Sequence, residues 1–234
     1  YGRRQRQMCI RDSNISDKIS LLAVQGPKAE LLCESFTKED LKSLSNYSFI
    51  LGKFAGIDDV IISKTGYTGS GGFELYISND YAEHIWDKLF SVVNLEVKPI
   101  GLGARDTLRI EMGYCLYGND LDESVTPIEA NLGWITKLET NFIGSKSIKE
   151  QIENGIKKKL VGFVINDKGI PRKGYEIFDE SEKLIGEVTS GTFSPVLKKG
   201  IGLAYIEKYI SSKEIYLKIR NNFIKLEVVK TPFI

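Results

Sequence analysis

From Lys158 to its end the chain reads with a period of two. Leu160-Val-Gly-Phe-Val-Ile165, Glu176-Ile-Phe178, Leu184-Ile-Gly-Glu-Val-Thr189, Gly202-Leu-Ala-Tyr-Ile206, Ile215-Tyr-Leu-Lys-Ile219 and Phe223-Ile-Lys-Leu-Glu-Val-Val229 are short apolar runs separated by polar turns. Side chains on a strand alternate between faces, so each run has one face to bury. A succession of such strands at regular spacing buries those faces as a β-barrel or a sandwich. This stretch is an all-β unit, and few other folds are open to it.

The preceding stretch differs. Leu21-Leu-Ala-Val24 reads as a strand, and Gln25-Gly-Pro27 turns into a helix that carries Ala29, Leu31, Leu32 and Phe36 inward. Val60-Ile-Ile-Ser63 and Phe73-Glu-Leu-Tyr-Ile77 read as strands around a glycine-rich turn. Residues 80–93 have helical spacing, with Ile85, Trp86, Leu89 and Phe90 on the apolar face. Gly101–Met112 reads as a second helix and 144–154 as a polar helix or linker. The expected fold class is therefore α+β followed by an all-β barrel. Residues 1–13 read as a foreign or disordered segment, 14–155 as the α+β body and 156–234 as the barrel. The segment Tyr1-Gly-Arg-Arg-Gln-Arg-Gln-Met8 is basic, without an apolar period or an apolar core of a signal peptide.

Composition excludes several function classes. Lys+Arg (32) and Asp+Glu (31) nearly cancel, which gives no electrostatic reason to expect nucleic acid or an anionic membrane as partner. No apolar run approaches the ~18 residues of a membrane span. Cys9, Cys33 and Cys115 are odd in number and far apart, so neither a disulfide framework nor a zinc site is expected, and no metal ligands are assigned. The one histidine, His84, lies on helical spacing and reads as a helix-surface residue, which leaves hydrolase triads little support.

Three segments can carry chemistry. Thr65-Gly-Tyr-Thr-Gly-Ser-Gly-Gly-Phe-Glu-Leu-Tyr-Ile77 places four glycines within seven positions. It has no Walker ending and no GxGxxG register, so it reads as a hairpin turn with a bulge rather than a phosphate cradle. Glu74 lies within its second strand and either points to solvent or points inward and needs a paired donor. In Pro99-Ile-Gly-Leu-Gly-Ala-Arg-Asp-Thr-Leu-Arg-Ile-Glu-Met-Gly-Tyr114, Arg105, Arg109 and Glu111 read either as a salt-bridged helix surface or as an arginine presented to an anion. Leu116-Tyr-Gly-Asn-Asp-Leu-Asp-Glu-Ser-Val-Thr-Pro127 fails the EF-hand spacing and reads as an ordinary acidic loop.

The order of these segments says more than any one of them. Ala23-Val-Gln-Gly-Pro27, Gly66-Tyr-Thr-Gly69 with Glu74, Gly101-Leu-Gly-Ala-Arg-Asp-Thr-Leu-Arg109, Leu116-Tyr-Gly-Asn-Asp-Leu-Asp-Glu123, Gly133-Trp134, Phe142-Ile-Gly144, Thr189-Ser-Gly-Thr-Phe-Ser-Pro195 and Ile201-Gly-Leu-Ala204 follow one another. This series resembles the glycine cleavage T protein (aminomethyltransferase) family from about Leu21 onward.

The resemblance implies an aminomethyltransferase. It would take the one-carbon unit from the aminomethyl-lipoyl arm of the H protein, release ammonia and use tetrahydrofolate as co-substrate. It implies a three-lobed α+β fold with folate in a central channel and a β-barrel as last lobe. The family's folate-contacting carboxylate falls on Glu74 and its binding arginine on Arg105. Tyr67 matches the tyrosine of the glycine-rich loop, and Tyr114 a ligand-lining position. The family's catalytic aspartate lies on an N-terminal strand that nothing here matches, so no catalytic residue is assigned and the chain reads as N-terminally truncated and inactive by itself. Ser70 stands where many members carry an acidic residue. The compartment expected is the cytoplasm, or the mitochondrion in a eukaryote. Relatives on the same scaffold are the alternatives: a folate-dependent demethylase, a sarcosine or dimethylglycine dehydrogenase lobe, or a non-catalytic folate-binding protein.

Overall fold

The structure is a computed structural model that describes residues 13–208 and 214–234. All of the foreign segment expected at 1–13 except Ser13 lies outside the described residues. The chain divides into two compact units, one ending at Pro99 and the other running from Ile100 to Ile234.

The first unit holds β1 (Ile19–Gln25), α1 (Ala29–Glu34), β2 (Phe49–Phe54), β3 (Ile57–Ser63), β4 (Gly72–Ser78) and α2 (Ala82–Phe90). The strands form one antiparallel sheet in the order β1-β4-β3-β2. Alternation assigns Val60, Ile62, Phe73, Leu75 and Ile77 to one face, where they pack with Leu32 and Cys33 of α1 and with Ile85 and Leu89 of α2. Burying each of the larger side chains stabilises the unit by about 1.5–3 kcal/mol. The alternate residues Leu21, Phe49, Leu51 and Ile61 stand on the other face and are exposed, Phe49 at 64% and Leu51 at 61%. β2 escapes a sequence reading because Gly52 and Lys53 break its apolar run. It is joined to β3 by Ala55-Gly56, both with positive φ (50° and 86°), the two-residue hairpin turn that suits strand twist.

Two helix faces differ from the expectation. Ala29, Leu32 and Cys33 are the buried residues of α1, while Leu31 is exposed. With six residues α1 is under two turns, so its inward face admits fewer positions than an extended periodic pattern suggests. On α2, Ile85 and Leu89 are buried, whereas Trp86 is exposed and rests against Phe90 with ring centroids 4.9 Å apart.

The second unit holds α3 (Leu102–Glu111), α4 (Ser145–Asn154), β5 (Lys158–Ile165), β6 (Glu176–Asp179), β7 (Leu184–Ser194), β8 (Lys199–Glu207), β9 (Ile215–Ile219) and β10 (Asn222–Val229). The six strands close into an antiparallel barrel in the order β10-β5-β8-β7-β6-β9. Phe163, Ile165, Ile177, Val188, Ala204, Leu217 and Leu226 fill one core cluster. Closure leaves no free strand edge, which answers the edge problem of the open sheet.

The barrel's strands begin at Lys158, and the compact unit that holds them starts at Ile100. α3 packs on β7 and β8. Its Ile110 is fully buried with Val164 and Ile201, and Thr107 Oγ1 lies 3.0 Å from Thr192 Oγ1. A change of sequence period locates a change of secondary structure, and only packing decides which helix belongs to which core.

Candidate functional site

Glu74 is on β4 among the residues that face away from the α1–α2 core. Its register partners are Ala23 of β1 and Ser63 of β3, which share its face. It is half-buried, and Thr65 Oγ1 donates to its Oε2 at 2.5 Å. Among the described residues Oε1 has no hydrogen-bond partner. The sequence alternatives resolve to a third arrangement: the carboxylate points neither into the apolar core nor into bulk solvent, and one oxygen is held while the other is available.

The glycine-rich segment is the connection between β3 and β4, as expected of a hairpin. Its shape is set from outside by Gln25, the last residue of β1. Gln25 Nε2 donates to the carbonyls of Thr65 (3.1 Å) and Phe73 (3.3 Å), and its Oε1 accepts from Thr68 Oγ1 at 3.1 Å. Two glycines permit this approach. A Cβ at Gly66 would fall 1.9 Å from Gln25 Oε1, and one at Gly72, where φ is +132°, would fall 2.2 Å from the Val24 carbonyl. Tyr67 is half-buried within this connection.

Arg105 and Tyr114 lie in the second unit. Arg105 is in the first turn of α3 and exposed, and Tyr114 is half-buried just beyond its end. Glu74 and Tyr67 therefore share the first unit, and Arg105 and Tyr114 the second.

The helix-surface reading of Arg109 and Glu111, and the ordinary-loop reading of Asp120, do not hold. Arg109 and Asp120 are fully buried and Glu111 nearly so. Arg109 Nη1 donates to Asp120 Oδ2 at 2.6 Å and to the Tyr114 carbonyl at 3.1 Å; Nη2 donates to Ser190 Oγ at 2.7 Å, and Nε to Asp106 Oδ1 at 2.8 Å. Asp120 Oδ2 also accepts from Ser190 Oγ (2.9 Å) and the Leu116 amide (2.9 Å), and Oδ1 accepts from Thr189 Oγ1. Consecutive strand residues normally face opposite ways. The register of β7 on β8 skips between Val188 and Ser190, and this bulge lets Thr189 and Ser190 both reach one carboxylate. Lys173 Nζ ties the same loop down through the Gly118 carbonyl at 2.7 Å. A buried charge demands such partners. Sequence reasoning missed the network because its members lie 11 and 81 residues apart. The available signal was the Thr189-Ser190 pair directly after the buried Val188 of β7.

Cys33 is fully buried, and burial pushes its thiol up from 9.0 to about 12. Burial, then the Asp120 charge, pushes Cys115 to about 11. Neither is a thiolate nucleophile near neutral pH. His84 is exposed on α2, with Nε2 3.2 Å from the Ala55 carbonyl. Among the described residues no His, Cys, Asp or Glu cluster is arranged to hold a metal, and no helix is long and apolar enough to cross a membrane.

Residues 3–140 match the GCVT N-terminal domain, and residues 158–234 match the glycine cleavage T-protein C-terminal barrel domain. The first match begins within the stretch expected to be foreign. An aminomethyltransferase of Flavobacterium psychrophilum is 51% identical over 94% of this chain and 62% of its own length. One from Porphyromonas gingivalis is 52% identical over 100% of this chain and 66% of its own length. The crystal structure of glycine cleavage system aminomethyltransferase T from Bartonella henselae superposes with a TM-score of 0.82 at 31% identity, covering 92% of this chain and 60% of that one. The chain thus spans somewhat less than two thirds of the length of these relatives. With both of its matched regions accounted for in order, the chain belongs to the glycine cleavage T-protein family.

Proposed function

We propose that the protein is an aminomethyltransferase of the glycine cleavage system. It transfers the one-carbon unit of an aminomethyl group carried on lipoylated H protein to tetrahydrofolate and releases ammonia. The relatives' shared name supports the reaction class. The observation that carries the site is the Glu74 carboxylate: one oxygen is held by Thr65 and the other lacks a partner among the described residues.

A pteridine edge presents two N–H donors side by side, and one carboxylate can accept both. Fixing Oε2 on Thr65 lowers the cost of orienting the group before the ligand arrives. Tyr67, in the connection that ends at β4, offers a ring for the flat ligand to lie against. Arg105 holds an anionic or acceptor group of the cofactor. It stands in the first turn of α3, where the helix dipole disfavours a cation, so helix stability is no reason for its placement. Tyr114 lines the ligand. The general acid/base that assists ammonia loss belongs to the part of the family's length that this chain does not span. The reaction is placed in the cytoplasm, or the mitochondrion of a eukaryote, without membrane or nucleic acid as partner.

Calorimetric titration of residues 14–234 with tetrahydrofolate tests this reading, with Glu74→Ala beside it. A weakening of at least about ten-fold in Glu74→Ala is expected. If the fragment folds but does not bind, the titration is repeated on the full-length protein; continued failure there rejects the folate site.

A further inference from the structure

We propose that Gln25 is a positioning residue for Glu74: its side-chain amide clasps the β3–β4 connection and, through Thr65, sets the carboxylate. This rests on the folate-site reading of Glu74.

The geometry runs in one chain of contacts. Gln25 Nε2 donates to the Thr65 carbonyl, and the hydroxyl of that same Thr65 donates to Glu74 Oε2. Nε2 also donates to the Phe73 carbonyl, immediately before Glu74. Oε1 accepts from Thr68 in the middle of the connection. One primary amide therefore touches the start, the middle and the end of the segment that carries Tyr67 and leads into Glu74. The main chain adds a parallel clamp, because the Gly26 amide donates to the Gly71 carbonyl at 3.0 Å.

Only a side chain with a donor and an acceptor at this reach can make the set. Glutamate lacks the N–H donors for the two carbonyls, methionine lacks both functions, and asparagine is one methylene short. Gly66 reinforces the argument, since any larger residue there would occupy the position of the Gln25 amide. A short loop that only needed to reverse the chain would have no use for a three-point clasp. A loop that must hold a hydroxyl against a carboxylate does, because a displacement of about 1 Å breaks a hydrogen bond.

The test uses the full-length protein and the variants Gln25→Met, Gln25→Asn, Glu74→Ala and the double variant Gln25→Met/Glu74→Ala. Three quantities are read: the tetrahydrofolate dissociation constant by calorimetry, the rate of chymotryptic cleavage after Tyr67 by mass spectrometry, and the thermal midpoint. Gln25→Met is expected to weaken tetrahydrofolate binding roughly ten-fold. It should also accelerate cleavage after Tyr67, and add no further loss of affinity in the Glu74→Ala background. Gln25→Asn, which keeps the amide, is expected to fall between wild type and Gln25→Met, and it serves if Gln25→Met does not fold.

Unchanged affinity and cleavage in Gln25→Met overturn the proposal. So does faster cleavage with unchanged affinity, provided Glu74→Ala does lose affinity, and so does full additivity in the double variant. If Glu74→Ala binds tetrahydrofolate as wild type does, the folate reading fails instead. The cleavage rate then decides by itself whether Gln25 clasps the loop.

Discussion

Glu74 and Asp120 are both carboxylates that accept from a threonine hydroxyl, and they sit in opposite circumstances. Glu74 stands half-buried on the open face of a sheet, with one oxygen held and the other without a partner among the described residues. Asp120 is fully buried, and its two oxygens accept from Arg109, Ser190, Leu116 and Thr189. Covering of the barrel's outer face by α3 and the loop at Asp120 accounts for the difference. α3 and this loop pack on the outside of β7 and β8 and remove water from the groups between them, so a charge there must be neutralised by protein groups. An open sheet buries one face only, and a carboxylate on the other keeps capacity for a ligand. Full burial with every oxygen paired marks a structural role at Asp120, whereas partial satisfaction marks Glu74 as a candidate for a ligand.

The sharpest way to break this contrast is Arg109→Met. It leaves Asp120 buried without its cation, so urea denaturation should show a loss of about 3–5 kcal/mol in the unit that begins at Ile100. A loss below about 1 kcal/mol would mean that water reaches Asp120. Glu74→Ala should behave the other way round. Stability should change by no more than about 0.5–1.5 kcal/mol, the net contribution of the single hydrogen bond from Thr65. Tetrahydrofolate binding should weaken by about 1.5–3 kcal/mol, the range of a hydrogen bond to a charged group. If the two variants trade effects, the assignment of a structural role to Asp120 and a ligand role to Glu74 is wrong.

Cys33 sharpens the comparison within the first unit's core. Its folded thiol is raised from 9.0 to about 12, so between those values the native state keeps a proton that the unfolded chain loses. Stability should therefore fall as pH rises through this window, by about 1 kcal/mol near pH 10. Cys33→Ala should remove that slope in chemical denaturation at pH 8 and pH 10. The smallest effect is expected on the open face. Leu51→Lys should change stability by no more than about 0.5 kcal/mol and improve solubility, measured by light scattering. A larger loss would show that the face is covered in solution.

Much of the architecture can be read from local pattern. The alternation of β5 to β10, the helical spacing of α2 and α3 and the glycine-rich turn before β4 each follow from the period of the chain or from residues with special backbone freedom. The order of the family's motifs is also a property of the sequence, and it singles out Glu74, Arg105, Tyr67 and Tyr114 without any tertiary contact. Three things needed the tertiary structure. β2 is a strand because β3 pairs with it, despite Gly52 and Lys53 in its middle. Arg109 is buried rather than exposed because the bulge at Thr189 and the loop at Asp120 converge on it from distant parts of the chain. Gln25 reads as a turn residue until Thr65, Thr68 and Phe73 are placed around its amide. Period and composition report what each segment prefers over a few residues; partners for a charge or an amide are supplied by segments tens of residues away, and only folding brings them within hydrogen-bond reach.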